Sequence, residues 1–209
     1  MEKVVDLFGV GEANSQKLHE GGNDLSEIEQ GLFIGSVAEA ANKDLLKSSN
    51  VTHILTVAVA LFPPHPNDFV YKVIEVVDRS ETDLTVYFDE CFSFMDQAIQ
   101  SGGGVLVHCF MGISRSIARE PSYEEVCQRT DYVLCGRVQS FLGPVICVTI
   151  VVAYLMKKHG MGFSKAMELV RSRRPQALPN FGFISQLQQF EKSIKVQDEE
   201  DSADKKIES

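Results

Sequence analysis

The chain lacks an apolar run long enough to span a bilayer. Its longest candidate, from Val145 to Met156, suits a buried core helix instead. The opening residues, Met1-Glu2-Lys3, lead into no apolar segment of the kind a secretory signal requires. Cysteine is sparse, and the five present follow no framework spacing, which argues against a disulfide-stapled secreted domain. The five histidines (His19, His53, His65, His108 and His159) are scattered, and no cysteines pair at ligand spacing, so no metal and no other cofactor is expected. Excess basic charge is missing too. A net charge of −9 argues against nucleic acid as the main ligand. There is no internal repeat. What remains is a chain of 209 residues, 44% of them hydrophobic, enough for one domain with a substantial core and short tails. The expected location is a reducing one, cytoplasmic and/or nuclear.

Residues 1–26 are polar and glycine-containing and read as a flexible arm. Residues 27–195 read as the folded domain, and residues 196–209 as an acidic disordered tail. Phe33 and Ile34 begin a short strand. Ser36 and Glu39 have capping-box spacing and predict a helix through about Lys47. Residues 51–57 and 71–77 predict strands, separated by a loop with three prolines at 62–68. Phe88, Cys91, Phe92, Met95 and Ile99 recur at helical spacing. Residues 148–158 predict a core helix stopped at Gly160. Two further helical stripes follow. One runs through Phe163, Ala166, Met167 and Val170, and the other through Phe183, Leu187, Phe190 and Ile194. Strands alternating with helices predict an α/β sandwich around a mostly parallel sheet.

The chemistry concentrates in His108-Cys109-Phe110-Met111-Gly112-Ile113-Ser114-Arg115-Ser116. Val105-Leu106-Val107, just before it, reads as a buried strand. A strand, a tight loop and a helix start place several backbone N–H groups around one anion. Those amides and Arg115 would also favour the ionised form of Cys109. Cys109 would attack phosphorus and split hydrolysis into two easier steps. Arg115 would hold two equatorial oxygens with its planar fork, a geometry lysine cannot reproduce. The amides of Phe110, Met111, Gly112, Ile113, Ser114 and Arg115 would stabilise the same oxygens, most strongly in the transition state. His108 is placed to orient the loop from behind. Asp78 follows a predicted strand and precedes a polar run, where an acid could reach over the loop as proton donor and later activate water.

This segment resembles the HCxxGxxRS signature of cysteine-dependent phosphatases. Leu32-Phe33-Ile34-Gly35, Thr52-His53-Ile54-Leu55-Thr56-Val57, Arg174-Pro175 and Pro179-Asn180-Phe181-Gly182-Phe183 resemble the small, plant-type dual-specificity protein phosphatases. The resemblance covers residues 27–116 and 148–195. It implies a protein tyrosine phosphatase-like three-layer sandwich, with helices flanking the central sheet. It also implies that Ser116 donates a hydrogen bond to the departing thiolate. The family's acid lies ten residues before the Phe of a Tyr-Phe pair, the relation of Asp78 to Phe88. Glu81 and Asp83 stand nearby as less favoured substitutes. The loop interior has no lysine, unlike the loops that resemble inositol-lipid phosphatases, so a phosphoprotein substrate is expected. The resemblance implies hydrolysis of phosphotyrosine and of phosphoserine or phosphothreonine, with a mitogen-activated protein kinase as partner. A catalytically silent phosphoprotein-binding pseudophosphatase is the alternative.

In the family the loop runs straight into an apolar helix. Here residues 117–147 intervene, and joining Ser116 to Val148 would restore the pattern. A retained intron or an alternative splice form is the expected origin. Pro121 disfavours helix at Glu120, so any helix behind the loop would end within two turns, and weakened activity or stability is expected. Cys127, Cys135 and Cys147 are assigned no shared function, although an exposed one could form a disulfide with Cys109. Arg171, Arg173 and Arg174 are expected at a helix C-terminus, where cations are favoured.

Overall fold

The computed structural model describes residues 25–109, 146–175 and 177–207, with side chains described through residue 197. Most of the predicted arm and all of residues 110–116 therefore lie outside the described residues, as does Pro121. Five strands form one sheet in the order β1-β2-β5-β3-β4. They are β1 (Ser26–Glu29), β2 (Leu32–Gly35), β3 (Val51–Val57), β4 (Val70–Ile74) and β5 (Gly104–His108). All pairings are parallel except β1 with β2. The fold is the expected three-layer α/β sandwich.

The strand alternation sorts two cores. Leu32, Ile34, Leu55, Val57, Val105 and Val107 face one side. Phe33, Ile54 and Leu106 face the other, where α1 (Val37–Ala41) and α2 (Lys43–Ser48) contribute Ala40 and Leu46. The larger face is covered by α3 (Phe88–Gln100), α4 (Ile146–His159), α5 (Phe163–Arg173) and α6 (Phe181–Ile207). In α4 every residue from Ile146 to Met156 is buried. Its sequence is apolar all round because it is packed on all sides, against the sheet, α3, α5 and α6. Each large apolar side chain so buried contributes roughly 1.5–3 kcal/mol before entropy is counted. Its buried Tyr154 ring meets Phe92 edge-on, and its hydroxyl donates to Asp96 at 2.8 Å.

Several boundaries differ from the sequence expectation. The folded part begins one strand earlier, because Ile28 alone turns inward from the charged alternation of β1. The helix expected through Lys47 is two helices. Its capping box forms, but Asn42 ends α1 and its side chain caps α2 by accepting from the Leu45 N–H. The strand β4 stops at Ile74, and residues 75–79 belong to no element. Gly160, with φ +60°, ends α4 as expected, but that helix starts at Ile146. The acidic tail, expected to lack structure, continues α6 to Ile207. Residues such as Glu199, Glu200, Ala203, Lys205 and Lys206 have good intrinsic helix propensity, which outweighs their polarity here. Arg174 is a buried side chain rather than a surface cation. It donates to the Ser26 hydroxyl and the Ile34 carbonyl, tying the end of α5 to the sheet.

Candidate active site

The central strand β5 delivers His108 and Cys109 to its C-terminal edge, where open parallel sheets bind ligands. Cys109 is 5% exposed. Behind it, His108 Nδ1 lies 3.3 Å from the Cys109 carbonyl, and Nε2 lies 2.8 Å from the Thr56 hydroxyl. A carbonyl only accepts, so Nδ1 carries the proton and the Thr56 hydroxyl donates to Nε2. Burial pushes the His108 pKa down to about 4, which keeps the ring neutral. The imidazole thus bonds the Cys109 carbonyl at the end of β5.

Asp78 reaches the same edge from the loop after β4. Its Oδ2 accepts from the Ile146 N–H at 3.2 Å, and its Oδ1 accepts from the Asn180 side-chain amide at 3.1 Å. The next residue, Cys147, places its Sγ 3.4 Å from the Cys109 Sγ. Consecutive residues at the start of α4 therefore touch the candidate acid and the candidate nucleophile. The positive end of that helix faces both. Burial raises the Asp78 pKa to about 6, against the pull of the Asn180 and Ile146 donors. A carboxyl titrating there can serve as an acid near neutral pH.

The acid loop is held from α6. Asn180 accepts from the Phe183 N–H while its amide donates to Asp78, so one side chain caps the helix and binds the Asp78 carboxyl. Gln186 accepts from the Leu84 N–H at 2.9 Å and donates to the Thr82 carbonyl at 2.7 Å. Gly182 lies so close that a Cβ there would collide with the Ser80 carbonyl. The sequence reading noted the Pro179 to Phe183 motif but gave Asn180 and Gln186 no role. A polar residue at a helix cap has too many local explanations to signal a contact about a hundred positions away. Glu81 bonds the Ser80 hydroxyl and Asp83 bonds the Thr85 N–H and hydroxyl, so both are engaged locally and exposed.

The sequence profile described as the dual specificity phosphatase catalytic domain matches residues 32–118 and 147–193. The chain belongs to the dual-specificity phosphatase family. It is 76% identical, over 93% of its length and 98% of the relative's, to dual specificity protein phosphatase 1B of Arabidopsis thaliana. It is 53% identical to dual specificity protein phosphatase 1 of the same plant, over 83% of this chain and 72% of that one. A Dictyostelium discoideum protein named MAP kinase phosphatase with leucine-rich repeats protein 2 is 33% identical over 78% of this chain and 19% of its own. The crystal structure of DUSP15 has 30% identity and a TM-score of 0.63, covering 86% of this chain and 97% of that one.

This phosphatase is thus a plant-type, dual-specificity protein phosphatase, with the strand that carries Cys109 and the loop that carries Asp78 meeting at one edge of the sheet. Its described residues bring together His108, Cys109 and Asp78. Arg115, Ser116 and the amides of residues 110–115 lie outside them. Cys147, expected to pair with Cys109 only if exposed, is buried against it. No helix among the described residues is long and apolar enough to cross a membrane.

Proposed function

We propose that Cys109 is the nucleophile of this phosphatase and Asp78 its general acid. The single observation that carries this reading is the convergence of both on the first two residues of α4, Ile146 and Cys147. In the proposed reaction the Cys109 thiolate attacks phosphorus, and Asp78 gives its proton to the departing side-chain oxygen. The same carboxylate then takes a proton from water as it displaces the thiolate. Arg115 and the amides of residues 110–115 hold the equatorial oxygens, Ser116 stabilises the leaving sulfur, and His108 fixes the loop. The substrate is a phosphoprotein, and a mitogen-activated protein kinase is the partner we propose. The Dictyostelium relative's name supports that choice. We place the protein in the cytoplasm, the nucleus or both, where a nucleophilic thiol stays reduced.

A small chromogenic phosphate ester tests the core of the reading. Turnover that disappears in Cys109→Ser supports it, and undiminished turnover in that variant removes Cys109 as nucleophile. We further propose that residues 117–147 attenuate this form. The start of α4 is built from Ile146 and Cys147, whereas a direct join would bring Arg115 and Ser116 to that end. A version lacking 117–147 is expected to turn over faster and melt higher, and equal activity with equal melting temperature would refute the idea.

A further inference from the structure

Cys147 takes no part in the reaction just described, yet its sulfur touches the nucleophile. The two Sγ atoms are 3.4 Å apart, in van der Waals contact, with both side chains buried. Cys147 is the last residue before Val148, so it stands at the position Ser116 would occupy if joined directly to that helix. The extra segment therefore places a thiol where the family pattern puts a hydroxyl. A hydroxyl can only hydrogen-bond the nucleophile, whereas a thiol can also bond to it covalently.

We propose that Cys109 and Cys147 form an oxidant-modification site, converted to a disulfide by a two-electron oxidant of the peroxide class. The first step rests on reading Cys109 as an ionised nucleophile. Its thiolate attacks one peroxide oxygen, forming an S–O bond as the O–O bond breaks and hydroxide leaves. The Cys147 sulfur then attacks the sulfenic sulfur. The S–S bond forms, the S–O bond breaks, and the oxygen leaves as water with the Cys147 proton. In sum, two thiols and one hydrogen peroxide give one disulfide and two waters. The sulfurs must close from 3.4 Å to a bond of about 2.05 Å. Burial and the neighbouring Cys109 keep Cys147 protonated, so it carries the proton the departing oxygen needs. Cys91 is also buried, but it packs on α3 within the larger core, and its pKa is pushed up to about 12.

The test uses the full chain, purified reduced, treated with stoichiometric hydrogen peroxide and mapped without reductant by mass spectrometry. Trypsin separates the sulfurs, with Cys109 in residues 80–115 and Cys147 in 138–157. The expected product joins those two peptides with the loss of two hydrogens, and fragmentation places the link on Cys109. It vanishes on reduction and is absent from Cys109→Ser and Cys147→Ser. Phosphatase turnover falls as the link accumulates and returns with dithiothreitol. The double variant Cys127→Ser/Cys135→Ser keeps both sulfurs and must still cross-link, so the test survives even if Cys147→Ser fails to fold. Cys109 found as sulfinic or sulfonic acid beside an alkylatable Cys147 overturns the proposal. So does a link to Cys91, Cys127 or Cys135, or no link at all. Turnover of the reduced protein is measured separately, so loss of the nucleophile reading and loss of the disulfide are told apart.

Discussion

The site has two sides held in different ways. Cys109 stands at the end of the central strand, with neighbours on both sides and a buried histidine bonded to its carbonyl. Asp78 stands on a loop beyond an edge strand and is held by one side-chain bond from Asn180, the cap of α6, and one amide of α4. Desolvation acts on both sides to the same end. It lowers the base His108 and raises the acid Asp78, so both are neutral near pH 5. Their roles then separate. The neutral imidazole is a fixed structural bond, while the neutral carboxyl is a proton in reserve. The nucleophile side is built from core packing, which substitutions disturb globally. The acid side is built from a few polar contacts, which can be removed one at a time.

The largest expected effect separates these sides through pH. Asp78→Asn should lower turnover by about a hundredfold or more on an ester whose leaving alcohol is strongly basic. In the unaltered protein the leaving-group step should weaken as pH rises through about 6, where Asp78 loses its proton. The asparagine variant should lose that alkaline fall altogether. A retained fall in Asp78→Asn would assign it to another group, with Glu81 and Asp83 next to test. The same raised pKa has a sign for stability. The unfolded carboxyl ionises near its ordinary value of 3.8 and the folded one near 6, so this contribution is lost as pH rises between them.

Much of this arrangement was readable from the chain, for identifiable reasons. The strand β3 matches its predicted bounds, because a seven-residue segment rich in β-branched residues, inside a mostly parallel sheet, has few alternatives. The motif marks Cys109 because a cysteine and an arginine six positions apart, across a loop containing glycine, can form an anion cradle. Asp78 was reachable through the motif distance to Phe88. Asn180 and Gln186 were not, since hydrogen bonds across about a hundred residues leave no local pattern. The split at Asn42 goes unread because the apolar pattern runs on across it, although Asn is a favoured cap and poor in a helix interior. For Cys147 the sequence allows a meeting with Cys109 only as one of three cysteines and only for an exposed one, because nothing local shows that the residue ending an unfamiliar segment is buried beside Cys109.

A smaller effect is expected at the clamp. Asn180→Ala removes one donor from Asp78 and the cap of α6, and Gln186→Ala removes both anchors of the 82–84 backbone. Each should lower kcat by roughly tenfold, the scale of one or two hydrogen bonds at about 1 kcal/mol apiece, with little change in KM. The two variants differ in their pH profiles. The Asn180 donor favours the carboxylate, so its loss should move the alkaline fall to higher pH. Gln186 touches only backbone, so the midpoint should stay in place. Identical profiles for both would mean that Asn180 acts on the helix alone.

The smallest expected effect lies on the nucleophile side. Thr56→Val keeps the shape of β3 but removes the hydroxyl that donates to His108 Nε2. The carbonyl of Cys109 still requires the proton on Nδ1, so the ring cannot switch tautomer to compensate. A buried acceptor is left without a donor, at a cost of about 1–3 kcal/mol in urea unfolding at neutral pH. Stability should also fall with pH in both proteins as it drops from 6.5 towards 4, because the unfolded histidine takes up a proton that the folded one resists. The valine variant should run parallel to the parent across that range, since burial, the cause of the shift, is unchanged. A cost under about 0.5 kcal/mol would mean that His108 is held by packing, and that the bond to Thr56 contributes nothing to fixing the first peptide of the loop.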